Sequence, residues 1–352
     1  MTRSALWLSA VICGTLVASA TPADRVVTVF ETGRRPPIVN PIDEFVFEKL
    51  DSLGIEPVLC SDEVFVRRVY LDVLGRLPTA DEARRFLKNR HPQKRQRLVD
   101  ELLERPDFAV YWAMRWGDIL RIKAEFPVNL WPNGAQAYHR WILESLAQNK
   151  PYDQFAREML TSSGSNFRVG AVNFYRAIQN KTPEGIAQAV ALTFMGTRAD
   201  QWPPEKLKGM AAFFAQVGYK PTSEWKEEIV FWDPLGSSRV PESIAPGTAV
   251  PGISSLKARK KKQGGFFNAS VVGTLPPTEA VFPDGTRIQL PPDRDPREVF
   301  AEWLIRPDNP WFAKAIVNRI WAWLLGRGII HEPDDIREDN PPSNPELLAF
   351  LE

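Results

Sequence analysis

The chain is poor in the side chains that most often carry chemistry: its 352 residues include two cysteines and three histidines. Cys13 falls in the apolar N-terminal segment, so Cys60 stands alone in the rest of the chain, and a single thiol excludes an intrachain disulfide. Stability has to come from packing. His91, His139 and His331 are far apart, and no HxxxH or CxxC spacing occurs, so no metal site is expected. Charges nearly cancel, with 44 Lys and Arg against 43 Asp and Glu, so no global field draws nucleic acid or anionic lipid to the chain. Beyond the N-terminus no apolar run approaches a transmembrane length.

What is present begins with an export signature. Arg3 supplies a positive charge, Ala5 to Ala18 an apolar core, and Ala18-Ser19-Ala20 a small-x-small cleavage site. Residues 1–20 read as a secretory signal cleaved before Thr21, which places the protein in the periplasm or at the cell surface. The alternative is an uncleaved anchor; lipidation at Cys13 is disfavoured by Ile12 before it. Twelve Trp and twenty Phe provide core material, and the 31 prolines cluster between elements.

The periodicity is mostly helical, and the expected class is mainly α: a multi-helix array with a small β-containing insertion and a C-terminal helical segment. After an extended leader over 21–39, apolar residues at helical spacing predict helices from Ile42 to Leu53, Ser61 to Leu74, Thr79 to about Lys88, Pro92 to Glu104 and Asp107 to about Lys123. Thr79 with Glu82 is a capping box. Further helices are expected at Gly134–Gln148, Tyr152–Thr161, Pro183–Met195 and Pro204–Val217, with SSGSNFRVGAVNFYRA as a loop. Residues 40–219 thus form one helical domain. Composition shifts over 220–292, where a strand at Glu228–Trp232 and a hairpin around Pro283-Asp284-Gly285 are expected. In the last part, 293–352, Asp295-Pro296 and Asn309-Pro310 each open a helix. The second of these is apolar around almost its whole circumference, apart from Lys314, Asn318 and Arg319, so it is expected to be buried; Gly326 and Gly328 end it before an acidic, proline-rich loop.

The strings IDEFVFEKLDSLGIEP, FVRRVYLDVLGRLPTADEARRFL, YWAMRWGDILR, SSGSNFRVGAVNFYRA and PREVFAEWLIRPDNPWFAKAIVNRIWAWLLGRGIIHEPDDIREDNPPSNP together resemble exported planctomycete proteins with the paired PSCyt and PSD domains of unknown function, often described as cytochrome-associated. The resemblance covers 40–218 and 293–352. It implies that the second domain would run on past Glu352, which lies within an expected helix. Many relatives carry a Cys-x-x-Cys-His haem string between segments similar to Phe194-Met195-Gly196 and Gly209–Phe214. Here Thr197 to Lys208 contains no Cys and no His. Covalent haem needs two thiols and an adjacent imidazole, so no haem, and no other cofactor, is expected.

Several groups remain as candidates for binding. Arg115 and Asp118 on one aromatic-rich helix, with Arg319 on another, sit among apolar neighbours where an unpaired charge is costly; they either form an internal ion-pair network or line a polar cleft. Trp131, Trp202 and Trp232 stand beside prolines and suit either sugar stacking or pinning of loops to the core. Asp335 belongs to the acidic loop Glu332, Asp334, Asp335, Glu338 and Asp339, which either neutralises nearby arginines or offers oxygen ligands, though without a calcium-loop spacing. The serines of SSGSN lack the strand-then-helix context of a nucleophile elbow. The basic run Lys257–Lys262 reads as a solvated loop. The function expected is that of an exported, non-enzymatic binding or scaffold protein for an extracytoplasmic protein or polysaccharide partner. The alternative is a carbohydrate-active hydrolase, or a redox accessory to a partner cytochrome.

Overall fold

Helix starts in this chain are written in capping chemistry. The computed structural model describes residues 29–128, 130–236, 238 and 276–352. The signal expected at 1–20, the first part of the expected leader and the Lys257–Lys262 run lie outside the described residues. Asn40 caps α1 (Pro41–Ser52) in a reciprocal box with Asp43, Ser61 caps α2 (Asp62–Leu74), and Thr79 with Glu82 caps α3 (Ala80–Lys88). Each side-chain oxygen accepts a hydrogen bond from a first-turn N–H that the helix leaves unpaired. Helices α4 (Lys94–Leu103) and α5 (Pro106–Ile119) come next, and the turns of α2, α3 and α4 enclose a separate small core around Tyr70, Phe86 and Leu102.

The main core is built on α6 (Trp131–Ala147), α7 (Tyr152–Thr161), α8 (Asn173–Ala177), α9 (Pro183–Val190), α10 (Pro204–Ala211) and α11 (Pro296–Leu304), with Tyr138, Phe174, Phe194, Phe213 and Phe300 fully buried. Two short antiparallel sheets flank it. In the first, β1 (Gly164–Ser165), β3 (Glu228–Trp232) and β2 (Val217–Pro221) lie in the order β1-β3-β2; in the second, β4 (Glu279–Val281) pairs with β5 (Arg287–Gln289). The fold is mainly α, as the periodicity predicts. No helix among the described residues is long and apolar enough to cross a membrane.

Helix α12 (Phe312–Leu325) lies between the main core and a third cluster, formed by Ile329, Ile330 and the terminal helix α13 (Pro345–Leu351) with Ile42, Phe45 and Val46 of α1. Its expected burial needs correction. Beside Phe312 and Ala315, its buried positions are the polar Asn318 and Arg319, whereas Ile320 and Leu325 are exposed. The neighbours present backbone groups to be hydrogen-bonded there, and this decides which face goes inside.

Other expectations change locally. The string expected to be a loop carries β1, a 3-10 turn at Gly170–Val172 and α8. The helix expected over Pro204–Val217 stops in a 3-10 turn at Ala212–Phe214, because Val217–Pro221 pairs along β3. The end of the leader is not free either: Ser61 N–H donates to the Phe30 carbonyl at 2.9 Å and Thr32 N–H to that of Leu59 at 3.0 Å.

Candidate functional site

The end of α5 sets the first wall of a cavity. Ile122 N–H closes back on the Gly117 carbonyl at 2.9 Å, and the chain turns through Arg121 at φ 58°. A side chain other than glycine, asparagine or aspartate in the left-handed region is uncommon and strained. This turn brings Asp118 and Arg121 to the same side. Asp118 occupies the last turn of α5, where the helix dipole disfavours an anion. Its carboxylate is exposed and makes no hydrogen bond or ion pair among the described residues.

The second wall is a wider helical turn. Helix α9 runs on into a π-helical turn, Ala191–Met195, that ends at Gly196 in the left-handed region at φ 58°. Carbonyls at a helix C-terminus have no partner within the helix. Arg319 supplies one: its Nη1 donates to the Thr193 carbonyl at 2.8 Å and its Nη2 to that of Leu192 at 3.1 Å. Arg319 is 2% exposed, and the same Nη2 meets Asp334 Oδ1 at 2.5 Å. A cation at a helix C-terminus that also holds a carboxylate satisfies both requirements of a buried charge.

The acidic loop forms the third wall and is fixed by side-chain amides. Asn318 Oδ1 accepts from Ile330 N–H at 2.8 Å, and its Nδ2 donates to the Ile330 carbonyl at 3.1 Å. Asn340 Nδ2 donates to the carbonyls of His331 and Asp335, at 2.8 and 2.9 Å. Ile336 N–H then donates to the Gly196 carbonyl at 2.8 Å, docking the loop on the π turn. Trp323 of α12, packed on Trp112 and Trp116 at 5.5 and 5.8 Å, holds α5 against this assembly.

The result is a cavity of about 330 Å³ lined by Asp118, Ile119, Arg121, Leu192, Thr193, Arg319 and Asp334. Its two arginines differ. Arg319 is saturated by carbonyls and a carboxylate, apart from a buried Nε with no partner; Thr193 Oγ1 is likewise buried and unpartnered. The Arg121 guanidinium has neither hydrogen bond nor ion pair among the described residues, and burial pushes it below the ordinary arginine value, with only the Tyr138 hydroxyl acting against it.

Of the residues singled out from the sequence, Asp118 and Arg319 meet at this cavity. Arg115 does not line it, its guanidinium lying 5.6 Å from the Trp323 ring centre. Asp335 is paired with Arg337 at 3.0 Å. The tryptophans lie elsewhere. Trp131 is 41% exposed at the start of α6, at φ 63°. Trp202 is half-buried with Lys206 Nζ 4.5 Å over its ring, and Trp232 donates from β3 to Gln216 Oε1 at 2.6 Å. In SSGSN, Ser165 bonds Glu227, Ser163 accepts from Arg297, and Asn166 Oδ1 accepts from Glu228 N–H, so the string ties sheet and helices together. No group of three or more His, Cys, Asp or Glu side chains is gathered for a metal ion among the described residues.

Sequence reasoning misses Arg121, Thr193 and the buried pair Asp295–Arg297. Arg297 is 1% exposed, grips Asp295 through Nε and Nη2, and donates to the Ser162 carbonyl at 3.0 Å. The signal for that pair is the Asp-Pro-Arg start of α11, which puts an N-cap carboxylate two residues from an arginine. No sequence signal marks Arg121, whose role depends on a backbone conformation.

No curated protein and no solved structure matches the chain. Two families do: PSCyt2, a protein of unknown function (DUF1549), over residues 41–218, and PSD1, a protein of unknown function (DUF1553), over residues 296–352. The first spans α1 to the start of β2, the second α11 to α13, and the cavity takes one wall from the second and two from the first. The chain therefore belongs to the PSCyt2 family of proteins of unknown function and carries a PSD1 segment after it.

Proposed function

We propose that this chain is an exported binding protein, acting without catalysis on a cell-surface polymer or a protein partner, and that it takes a charged group of that partner into the cavity between the end of α5, the π turn and the acidic loop. The observation that carries the reading is Arg121: a half-buried guanidinium held at a strained backbone position, lining a cavity and matched to no carboxylate among the described residues. A cation kept partly out of water without a partner costs free energy, and a bound anion recovers it. The neighbouring Arg319–Asp334 pair needs no ligand for its stability, which separates a structural arginine from one left available.

The test is binding of the mature chain to an envelope-polymer fraction from the producing organism, measured by co-sedimentation alongside Arg121→Ala. Loss of a charge-assisted hydrogen bond of about 1.5–3 kcal/mol weakens binding by roughly ten- to a hundredfold, with the melting temperature of the variant unchanged or slightly raised. Equal binding by variant and parent would overturn the reading.

A further inference from the structure

Arg121 and Asp118 leave one positive and one negative charge unmatched on a single small cavity, while Arg319 and Asp334 across it neutralise each other. The two unmatched groups are three residues apart on the same turn, yet they are not within ion-pair distance, so each keeps its own capacity. An isolated phosphate or sulfate dianion would satisfy the arginine and be repelled by the aspartate. A simple carboxylate would leave Asp118 without a donor. The complement of this pair is a ligand that carries both signs. The remaining lining includes the apolar Ile119 and Leu192, suited to an aliphatic substituent, and the volume of about 330 Å³ lies at the lower end of small-molecule sites, which run from about 300 to 1,000 Å³.

We infer that the cavity is a site for a zwitterionic amino-acid group, with Arg121 pairing the ligand carboxylate, Asp118 accepting from its ammonium, and Ile119 with Leu192 against its side chain. The inference rests on the binding role proposed for this cavity and gives that role its ligand chemistry. Arginine suits a carboxylate because its planar fork donates two parallel hydrogen bonds, and Asp118 supplies the discrimination, since it opposes any anion lacking a positive group beside it. Such a group occurs as a free amino acid and on a polymer branch whose last residue is attached through its side chain, which leaves the ammonium and the carboxylate both free; the chemistry at the cavity is the same.

The experiment is isothermal titration of the chain with leucine, N-acetyl-leucine, leucine methyl ester and inorganic phosphate. Leucine binds; acetylation, which removes the ammonium, and esterification, which removes the carboxylate, each weaken binding about tenfold or more. Arg121→Ala weakens leucine and N-acetyl-leucine alike, whereas Asp118→Asn weakens leucine and strengthens N-acetyl-leucine by relieving its repulsion, a pattern that general loss of folding would not produce. Competition with the envelope-polymer fraction separates the two sources: leucine displaces Arg121-dependent polymer binding if the polymer presents such ends, whereas leucine binding with no Arg121-dependent polymer binding to displace marks the free amino acid as the ligand. Phosphate or N-acetyl-leucine binding as tightly as leucine would overturn the zwitterion while leaving Arg121 as an anion site. Absence of leucine binding up to about 10 mM, a concentration that saturates a site of about 1 mM affinity, would overturn it too. Continued Arg121-dependent polymer binding in that case would keep the broader proposal standing.

Discussion

Two arginines line one cavity and differ in what surrounds them. Arg319 holds the carbonyls of Leu192 and Thr193 and the carboxylate of Asp334 from a position almost wholly out of water. Replacement by methionine keeps its length and removes every donor, leaving two helix-end carbonyls and Asp334 without their partner. Breaking a buried charge pair typically costs about 3–5 kcal/mol. Arg319→Met is expected to fall in that range in urea unfolding, and a change below about 1 kcal/mol would show that the pair is dispensable. Arg121→Ala, in contrast, removes an unpaired cation and is expected to leave stability unchanged or slightly raised. Glu82 is the acid counterpart in the N-terminal helices. Hydrogen bonds from Arg76, supported by the Thr79 cap and Arg105, hold its carboxyl far below the ordinary glutamate value of 4.5. A depressed folded-state value means that its stabilisation is complete above about pH 4.5 and is lost progressively as pH falls below it. Glu82→Gln should lower stability at neutral pH and flatten the acid limb of the stability curve, whereas parallel curves for parent and variant would show that Glu82 does not set that limb.

Among the elements, the π turn and the acidic loop depend on each other through Gly196. Its φ of 58° suits glycine, and a Cβ there would come within 2.9 Å of Ile336 Cδ1 and 3.3 Å of Ala315 Cβ. Gly196→Ala should cost about 1–3 kcal/mol from the backbone position alone, and amide exchange should show Ile336, whose N–H donates to the Gly196 carbonyl, losing protection first. This is also the scale at which the sequence is easiest and hardest to read. Capping chemistry is local, so Thr79 with Glu82, Asn40 with Asp43 and Asp295 with Pro296 announce their helices directly. The strand at Glu228–Trp232 is equally legible from its β-branched and aromatic run. Helix α12 misleads because periodicity counts apolar side chains but cannot see that Asn318 and Arg319 face carbonyls supplied by distant segments. Helix α10 stops short of Val217 because the pairing of Val217–Pro221 with β3 is a tertiary contact, invisible to local pattern. Asp118 and Arg319 are legible as charges among apolar neighbours. Arg121 is not, since its place in the cavity depends on a left-handed turn that no residue type there announces.

At the scale of the molecule, the PSCyt2 and PSD1 regions share their cores. Phe300, Trp303 and Phe312 of the PSD1 region belong to the same buried cluster as Phe174, Phe194 and Phe213, and Arg297 reaches back to Ser162 and Ser163. Asn344 Nδ2 donates to the Phe45 carbonyl at 2.9 Å, so α13 packs back beside α1. Calorimetry should accordingly give one cooperative transition for these two regions, and two resolved transitions would contradict a shared core. The cavity walls come from both regions, so a site there exists only when they are packed together.

The most direct measurement is modification of arginines by phenylglyoxal, mapped by mass spectrometry with and without the envelope-polymer fraction. Arg121 is expected to be modified in the free chain and protected when the fraction is present, while Arg168, whose side chain is 83% exposed, is modified equally in both. Arg121 modified to the same extent with and without a saturating amount of the fraction would contradict the claim that this cavity is where the partner binds.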